Sequence, residues 1–276
     1  MTKKNFGIIG NPLSHSLSPV LHNFWYEKYK LSANYSLIEI GLNEIEEVIK
    51  KIRNKELQGI NVTIPYKQAV IPFLDLIISD AKETISVNTI SLNERDQVVG
   101  NNTDVYGFEQ GFINKLRDQN LEKNKVLILG AGGVTPSVIY ALLKKGIKQI
   151  FLANRTIKKS EDIKKKFPYI EIIIWEKIEA AAENMDIIIN TTSLGLKNGI
   201  DFKEEFKVIK KNLIYFDVIY NPEETTMIKK FKKRNIETYN GLEMFIYKGQ
   251  KSFFLWNKIN PELDKELKQN IMLKLK

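Results

Sequence analysis

Several short polar clusters in this chain combine side chains able to bind anions and hydroxyl groups. Ser14-His15-Ser16-Leu17-Ser18-Pro19 places hydroxyls just ahead of an expected helix start. Hydroxyls and a helix N-terminus together suit a carboxylate, although serines in that position also serve as simple caps. His15 and His22 on their own read as structural histidines. Asn61-Val62-Thr63-Ile64-Pro65-Tyr66-Lys67 carries an amide, a hydroxyl and an ammonium, and Asn88-Thr89 with Asn102-Thr103-Asp104 adds further amides, hydroxyls and a carboxylate. Gly130-Ala131-Gly132-Gly133 is of another kind: a glycine-rich turn through which backbone amides can approach a pyrophosphate. Its third glycine position is Thr135, so the dinucleotide fingerprint is incomplete. Asn154-Arg155-Thr156 follows where an NAD site would carry Asp or Glu. Arginine there, with Lys158 or Lys159 one turn on, suits a 2′-phosphate and favours NADP over NAD.

Positioning these clusters requires alternating strands and helices. Phe6–Ile9, Tyr35–Ile40 and Ile60–Ile64 read as strands, and Pro19–Lys30, Glu44–Arg53 and Gln68–Ile78 as helices. A hairpin over Ser86–Leu92 and Gln97–Gly100 turns at Asn93–Asp96, and a helix covers Val105–Leu116. The polar stretch Arg117–Asn124 is the candidate linker. Beyond it the pattern restarts: strands at Lys125–Leu129, Gln149–Ala153, Ile170–Ile174, Asp186–Asn190 and Leu213–Val218, with helices at Pro136–Lys145 and Lys158–Lys166. The fold class is therefore α/β with two doubly wound domains, and ligands are expected at the carboxyl ends of the strands, where the polar clusters fall. Two C-terminal helices, roughly Leu242–Trp256 and Glu262–Leu275, are expected to return to the first domain. The domains are drawn as 1–104 with 241–276, and 105–240.

Composition narrows the function classes. With 276 residues, 43% hydrophobic and 27% charged, the chain can bury ordinary globular cores. It has no cysteine, which excludes disulfides, thiolate metal sites and a cysteine nucleophile and makes the cytoplasm the default location. No apolar run reaches membrane-spanning length, and the first residues are too short an apolar stretch for a signal peptide. The net charge of +9 is spread over lysine-rich helices such as Lys158–Lys166 and Lys229–Lys233, which read as solvated faces; no nucleic-acid surface with interleaved aromatics stands out.

Taken together the segments resemble the shikimate dehydrogenase family, the NADP-dependent shikimate/quinate dehydrogenases, over essentially the whole chain. The family pattern G-N-P-x-x-H-S-x-S-P-x-x-H is met by Gly10–His22, N-V-T-x-P-x-K by Asn61–Lys67 and N-T-D-x-x-G by Asn102–Gly107. In the second half G-A-G-G falls at Gly130–Gly133, N-R-T at Asn154–Thr156, N-x-T-S-x-G at Asn190–Gly195 and D-x-x-Y at Asp217–Tyr220. The resemblance implies reversible NADPH-dependent reduction of 3-dehydroshikimate to shikimate in aromatic amino acid biosynthesis, by a monomer or homodimer that needs no metal. It implies that Ser16 and Ser18 hold the substrate carboxylate, that Asn61, Thr63, Asn88 and Asp104 hold its ring hydroxyls, and that Tyr220 and Lys248 also lie on the substrate side. Lys67 with Asp104 would carry proton transfer, which agrees with the chemistry: hydride delivered to a ketone leaves charge on oxygen, and an ammonium can neutralise it. On the cofactor side it implies Gly130, Ala131, Gly132, Gly133, Val134, Asn154, Arg155, Thr156, Lys159, Thr192, Ser193 and Gly241.

Two positions depart from the family pattern. Val134 replaces the usual alanine, a small change in volume. Lys248 replaces a glutamine that touches a substrate hydroxyl, within a segment, Gly241–Trp256, that otherwise follows the pattern. An ammonium donates but cannot accept, so glutamine is expected to serve shikimate better at that position. The competing readings are a paralogue acting on quinate or an amino-substituted analogue, and a catalytically silent regulatory protein. Turnover of shikimate and quinate with each cofactor separates the first, and retention of both Lys67 and Asp104 weighs against the second.

Overall fold

The structure is a computed structural model that describes residues 3–116, 121–196 and 199–275. The chain divides into two compact units, Met1–Gly107 with Ile246–Lys276, and Phe108–Phe245.

The first unit is built on strands β1 (Lys4–Gly10), β2 (Ala33–Glu39), β3 (Gly59–Val62), β4 (Leu76–Ile77), β5 (Thr89–Leu92) and β6 (Val98–Asn101), in the sheet order β2-β1-β3-β5-β6-β4. β1 pairs in parallel with both β2 and β3, so the chain reverses its winding there, whereas β5 runs antiparallel to β3 and β6. That reversal matters for the site. The start of β5 and the end of β6 come to the same edge as the carboxyl end of β3, with Asn61 opposite Thr89 and Thr89 opposite Asn101. The helices are α1 (Ser18–Lys28), α2 (Ile45–Arg53), α3 (Asp80–Thr84) and the start of α4 (Asp104–Gly111). α2 shows why such a segment is helical. Ile45, Val48, Ile49 and Ile52 form one buried stripe, while Glu46–Lys50 and Glu47–Lys51 pair one turn apart on the outer face.

The second unit contains β7 (Lys125–Leu129), α5 (Thr135–Lys144), β8 (Gln149–Ala153), α6 (Ile157–Lys166), β9 (Glu171–Ile173), α7 (Ile178–Ala182), β10 (Ile187–Asn190), β11 (Ile214–Asp217), α8 (Thr226–Lys232) and β12 (Glu237–Tyr239). Its sheet is parallel throughout in the order β12-β11-β10-β7-β8-β9, the doubly wound dinucleotide-binding arrangement, with its switch point between β7 and β10. β7 and β10 are almost wholly buried, as central parallel strands must be. α6 buries only Ser160 and exposes its lysines, two of which pair with Asp162, so this basic run is a solvated face.

α9 (Leu242–Asn257) starts in the second unit and ends in the first, and α10 (Lys265–Lys274), capped by Asp264, belongs to the first. Within the first unit α9 meets α1 closely: a Cβ on Gly249 would lie 2.3 Å from Leu21 Cδ2, so a larger residue would have to push the Leu21 side chain aside. Around that crossing Trp25, Tyr26, Phe253 and Trp256 interlock with Phe6, His22 and Tyr35.

Three readings from sequence need correction. The helix expected over Gln68–Ile78 is absent: a short 3-10 turn at Ile71–Phe73 is followed by β4, which pairs with β6. Pro72 lacks a donor and crowds the preceding turn, which prevents a continuous helix. The helix expected over Val105–Leu116 stops at Gly111 and continues as a 3-10 turn over Ile113–Lys115. The proposed linker lies inside the second unit; residues 117–120 are outside the described residues, and Leu121–Lys123 forms a 3-10 turn. The division falls at Gly107/Phe108, ahead of that stretch and three residues past the boundary drawn at 104, with Phe108 and Phe112 fully buried and packed on Phe216. Among the described residues no helix is long and apolar enough to cross a membrane.

Candidate active site

At the carboxyl edge of the first sheet a lysine and an aspartate meet out of water. Lys67, just past β3, donates to Asp104 Oδ2 at 2.5 Å; Lys67 is 6% exposed and Asp104 fully buried. Local structure fixes both partners. The Lys67 carbonyl accepts from Val87 N, and Asn102 Oδ1 caps α4 by accepting from Asp104 N and Val105 N at 2.9 and 3.2 Å. A third residue reaches the pair: Lys248 Nζ, on α9, stands 3.5 Å from Asp104 Oδ1. Burial alone would raise the Asp104 carboxyl, but the ammoniums of Lys67 and Lys248 and the amide of Asn88 outweigh it and hold it below the usual range. Burial and the Lys67 charge pull the Lys248 ammonium below the ordinary lysine range against the attraction of Asp104.

A polar network surrounds these groups. Asn61 Nδ2 donates to the Asn88 carbonyl, Thr89 Oγ1 and Ser252 Oγ at 2.9–3.0 Å, while Asn61 Oδ1 accepts from the Tyr35 hydroxyl at 2.7 Å. Asn88 Oδ1 accepts from Thr103 N at 2.8 Å, and Asn88 Nδ2 donates to Thr103 Oγ1 at 3.1 Å. Ser16 Oγ donates to Ser18 Oγ at 3.2 Å ahead of α1, so the two hydroxyls stand together. Thr63 lies beyond β3, half-buried against Gly10.

In the second unit the turn Gly130–Val134 joins β7 to α5 at the switch point. Gly130 has φ +108°, and a Cβ there would lie 2.8 Å from Thr191 Oγ1, so this position requires glycine. Gly132 differs: a Cβ would meet nothing nearer than Thr191 O at 3.9 Å, which leaves that side of the turn open. The end of β8 is tied to the turn by Asn154, whose Oδ1 accepts from Ala131 N and whose Nδ2 donates to Thr156 O, at 3.0 and 2.8 Å. Next to it the side chains of Arg155 and Lys159 have no hydrogen-bond or ion-pair partner among the described residues, whereas Lys158 pairs with Asp162. An open glycine turn beside two uncommitted cations suits a pyrophosphate and a further phosphate. Thr192 caps the end of β10 through Asn190 Oδ1, and Ser193 is exposed beside it. Gly241 N donates to Ile219 O, and the Tyr220 ring stacks on Phe245 at 4.5 Å.

Comparison with known proteins agrees with both halves. The family described as shikimate dehydrogenase substrate binding domain matches residues 8–90, and that described as shikimate / quinate 5-dehydrogenase matches residues 113–242. The chain belongs to the shikimate dehydrogenase family. A shikimate dehydrogenase (NADP(+)) of Pelagibacter ubique is 46% identical over 96% of this chain and 97% of its own. Among solved structures, shikimate dehydrogenase from Aquifex aeolicus is similar with a TM-score of 0.89 and 34% identity, over 98% of this chain and 97% of that one. The shikimate 5-dehydrogenase of Thermus thermophilus, in complex with NADP(H) and shikimate, gives 0.86 and 26% over 98% and 99%.

Among the residues expected from the family motifs, Lys67, Asn88, Asp104 and Lys248 come together around one carboxylate, and Asn61 joins them through Ser252 and Thr89. Tyr220 belongs to the second unit. Three residues that the motifs did not single out, Ser252, Thr135 and Thr191, hold the arrangement together with Asp217, the first residue of the D-x-x-Y motif. Ser252 bonds Asn61 and Thr89 from α9. Thr135, where a third glycine would fall, donates to Gly130 O, accepts from Gly132 N and contacts Thr191 Oγ1, and Thr191 reaches Leu129 O. Asp217 accepts from Asn190, Tyr215, Thr225 and Ile219 N; burial raises its carboxyl to about 6. Their signal in the sequence is a polar residue at a strand end or on a helix face otherwise apolar, which spacing alone cannot assign to a partner.

Proposed function

We propose that this chain is an NADP-dependent shikimate dehydrogenase, reducing 3-dehydroshikimate to shikimate and running in reverse when the cofactor is oxidised. The observation that carries the reading is the buried Lys67–Asp104 pair at the strand ends of the first unit. NADPH, when bound, supplies the hydride that reaches the ketone carbon. Lys67 Nζ donates a proton to the ketone oxygen as it becomes a hydroxyl, and takes it back in the oxidation. Asp104, kept ionised by its two lysines, aims Lys67 and accepts from a ring hydroxyl.

Ser16 and Ser18 hold the substrate carboxylate at the start of α1, and Asn61, Thr63 and Asn88 face its hydroxyls, with Tyr220 also assigned to the substrate. Gly130, Ala131, Gly132, Gly133 and Val134 receive the pyrophosphate, and Asn154, Arg155, Thr156 and Lys159 the adenosine end, where the free Arg155 and Lys159 cations suit a 2′-phosphate. Thr192, Ser193 and Gly241 complete the cofactor side. Apart from Tyr220 and Gly241, the substrate role thus falls to residues 1–104 with 241–276 and the cofactor role to 105–240. A cytoplasmic enzyme, monomeric or homodimeric, is consistent with a cysteine-free chain that draws on NADPH.

The test is shikimate-dependent NADP reduction by the purified protein, followed by absorbance, with quinate and NAD as parallel arms. Reduction of NADP by shikimate that disappears in Lys67→Ala supports the reading. No reduction with shikimate, or a preference for quinate, overturns it.

A further inference from the structure

Asp104 faces two ammoniums and has one oxygen without a hydrogen bond. Lys67 takes Oδ2, while Oδ1 is buried, accepts no hydrogen bond and has Lys248 Nζ 3.5 Å away. The backbone at Lys248 is anchored: its carbonyl accepts from Ser252 Oγ at 3.1 Å, and Ser252 is itself bonded to Asn61 and Thr89 at the strand ends. The Lys248 side chain is 32% exposed, against 7% for Lys67 and none for Asp104, so it stands on the open side of the carboxylate.

We propose that Lys248 is a specificity-determining residue, a charge filter that together with Asp104 Oδ1 receives a substrate ring hydroxyl and rejects a cationic substituent in the same place. The proposal rests on the shikimate reading of the site. A hydroxyl oxygen can stand within hydrogen-bond reach of two atoms 3.5 Å apart, donating to Oδ1 and accepting from Nζ. The acceptor that an ammonium lacks is thus supplied by its neighbour, and the expectation that glutamine would serve shikimate better does not carry over. A protonated amine in place of that hydroxyl can also donate to Oδ1, but it has no lone pair for Lys248 and becomes a third cation around a single carboxylate. Like charges at such distances repel strongly away from bulk water. A neutral glutamine amide imposes no such penalty.

The experiment compares wild type with Lys248→Gln, Lys248→Met and Lys248→Arg. Substrates are shikimate and a series of shikimate analogues in which each ring hydroxyl that is not oxidised is replaced in turn by an amine. Assays run at about pH 7, where an aliphatic amine is protonated. For one position in the series, wild type and Lys248→Arg should prefer the hydroxyl, and Lys248→Gln should reduce that preference by on the order of tenfold or more, through KM for the amine. Lys248→Met, with no donor left, should raise KM for shikimate by on the order of tenfold. Hydroxyl-over-amine preferences that are equal across all four proteins, with shikimate still turned over, overturn the proposal and leave the enzymatic reading intact. A wild type that does not oxidise shikimate overturns both.

Discussion

A buried carboxylate between two lysines makes the two members of the Lys67–Asp104 pair unequal. Removing either should lower turnover on the order of a hundredfold or more, the usual scale for a positioned acid or its partner. Stability should separate them. Asp104→Ala leaves Lys67 buried without its partner and should cost about 3–5 kcal/mol in denaturant unfolding, whereas Lys67→Ala leaves Asp104 with Lys248 and should cost less. Equal losses would mean that Lys248 does not compensate. Arg155→Ala should weaken NADP more than NAD by about tenfold to a hundredfold, the worth of about 1.5–3 kcal/mol for hydrogen bonds to a charged group. Cofactor titrations check this, and equal losses would remove Arg155 as the phosphate reader. At this scale the sequence was informative wherever a motif is local: Asn61–Lys67, Asn102–Asp104 and Asn154–Thr156 each announce chemistry within a few residues. The approach of Lys248 to Asp104 and the bond from Ser252 to Asn61 join α9 to strand ends far away in the chain, and no spacing rule carries such a pairing.

Among the elements, the glycine turn after β7 is the most constrained. Gly130→Ala would strain a positive φ and press on Thr191 and Thr192, at a cost of about 1–3 kcal/mol. NADP binding should weaken while binding of shikimate alone, measured by calorimetry without cofactor, should hold; loss of both together would argue for general unfolding. Strands with continuous apolar runs, such as Lys125–Leu129 and Gln149–Ala153, were legible to the residue because burial on both faces leaves one plausible reading. The stretch around Pro72 was misread because its apolar spacing mimics a helix while one residue forbids it. Short pieces such as β4, α3 and α7 escaped notice: a few residues hold too little periodicity, and their structure comes from the sheet or loop they meet.

For the whole molecule, two buried groups give the units opposite responses to acid. His22, stacked on Tyr35 in the first unit, is held neutral by burial, its pKa pulled down to about 3. The unfolded chain therefore takes up the proton first, and the first unit loses stability as pH falls from about 6.5 towards 3, by about 5 kcal/mol in full. Asp217, in the second unit, has its carboxyl raised to about 6, so its folded form holds the proton better. Its contribution is lost as pH rises from about 4 to 6, by about 3 kcal/mol. Hydrogen exchange corrected for intrinsic rates should therefore show protection falling in β1 between pH 6.5 and 4.5 while it rises in β10 and β11, and His22→Gln should blunt the first change. Parallel behaviour of the two units would contradict this assignment. The division of the chain has a further consequence, for its birth on the ribosome. Residues 108–245 emerge as one continuous stretch and can close their sheet while translation proceeds, but the first unit lacks Gly249, Phe253 and Trp256 until α9 has left the exit tunnel. The half of the protein that is synthesised first is the half completed last, and its aromatic cluster around Trp25 must wait, partly uncovered, for as long as the intervening unit takes to be made.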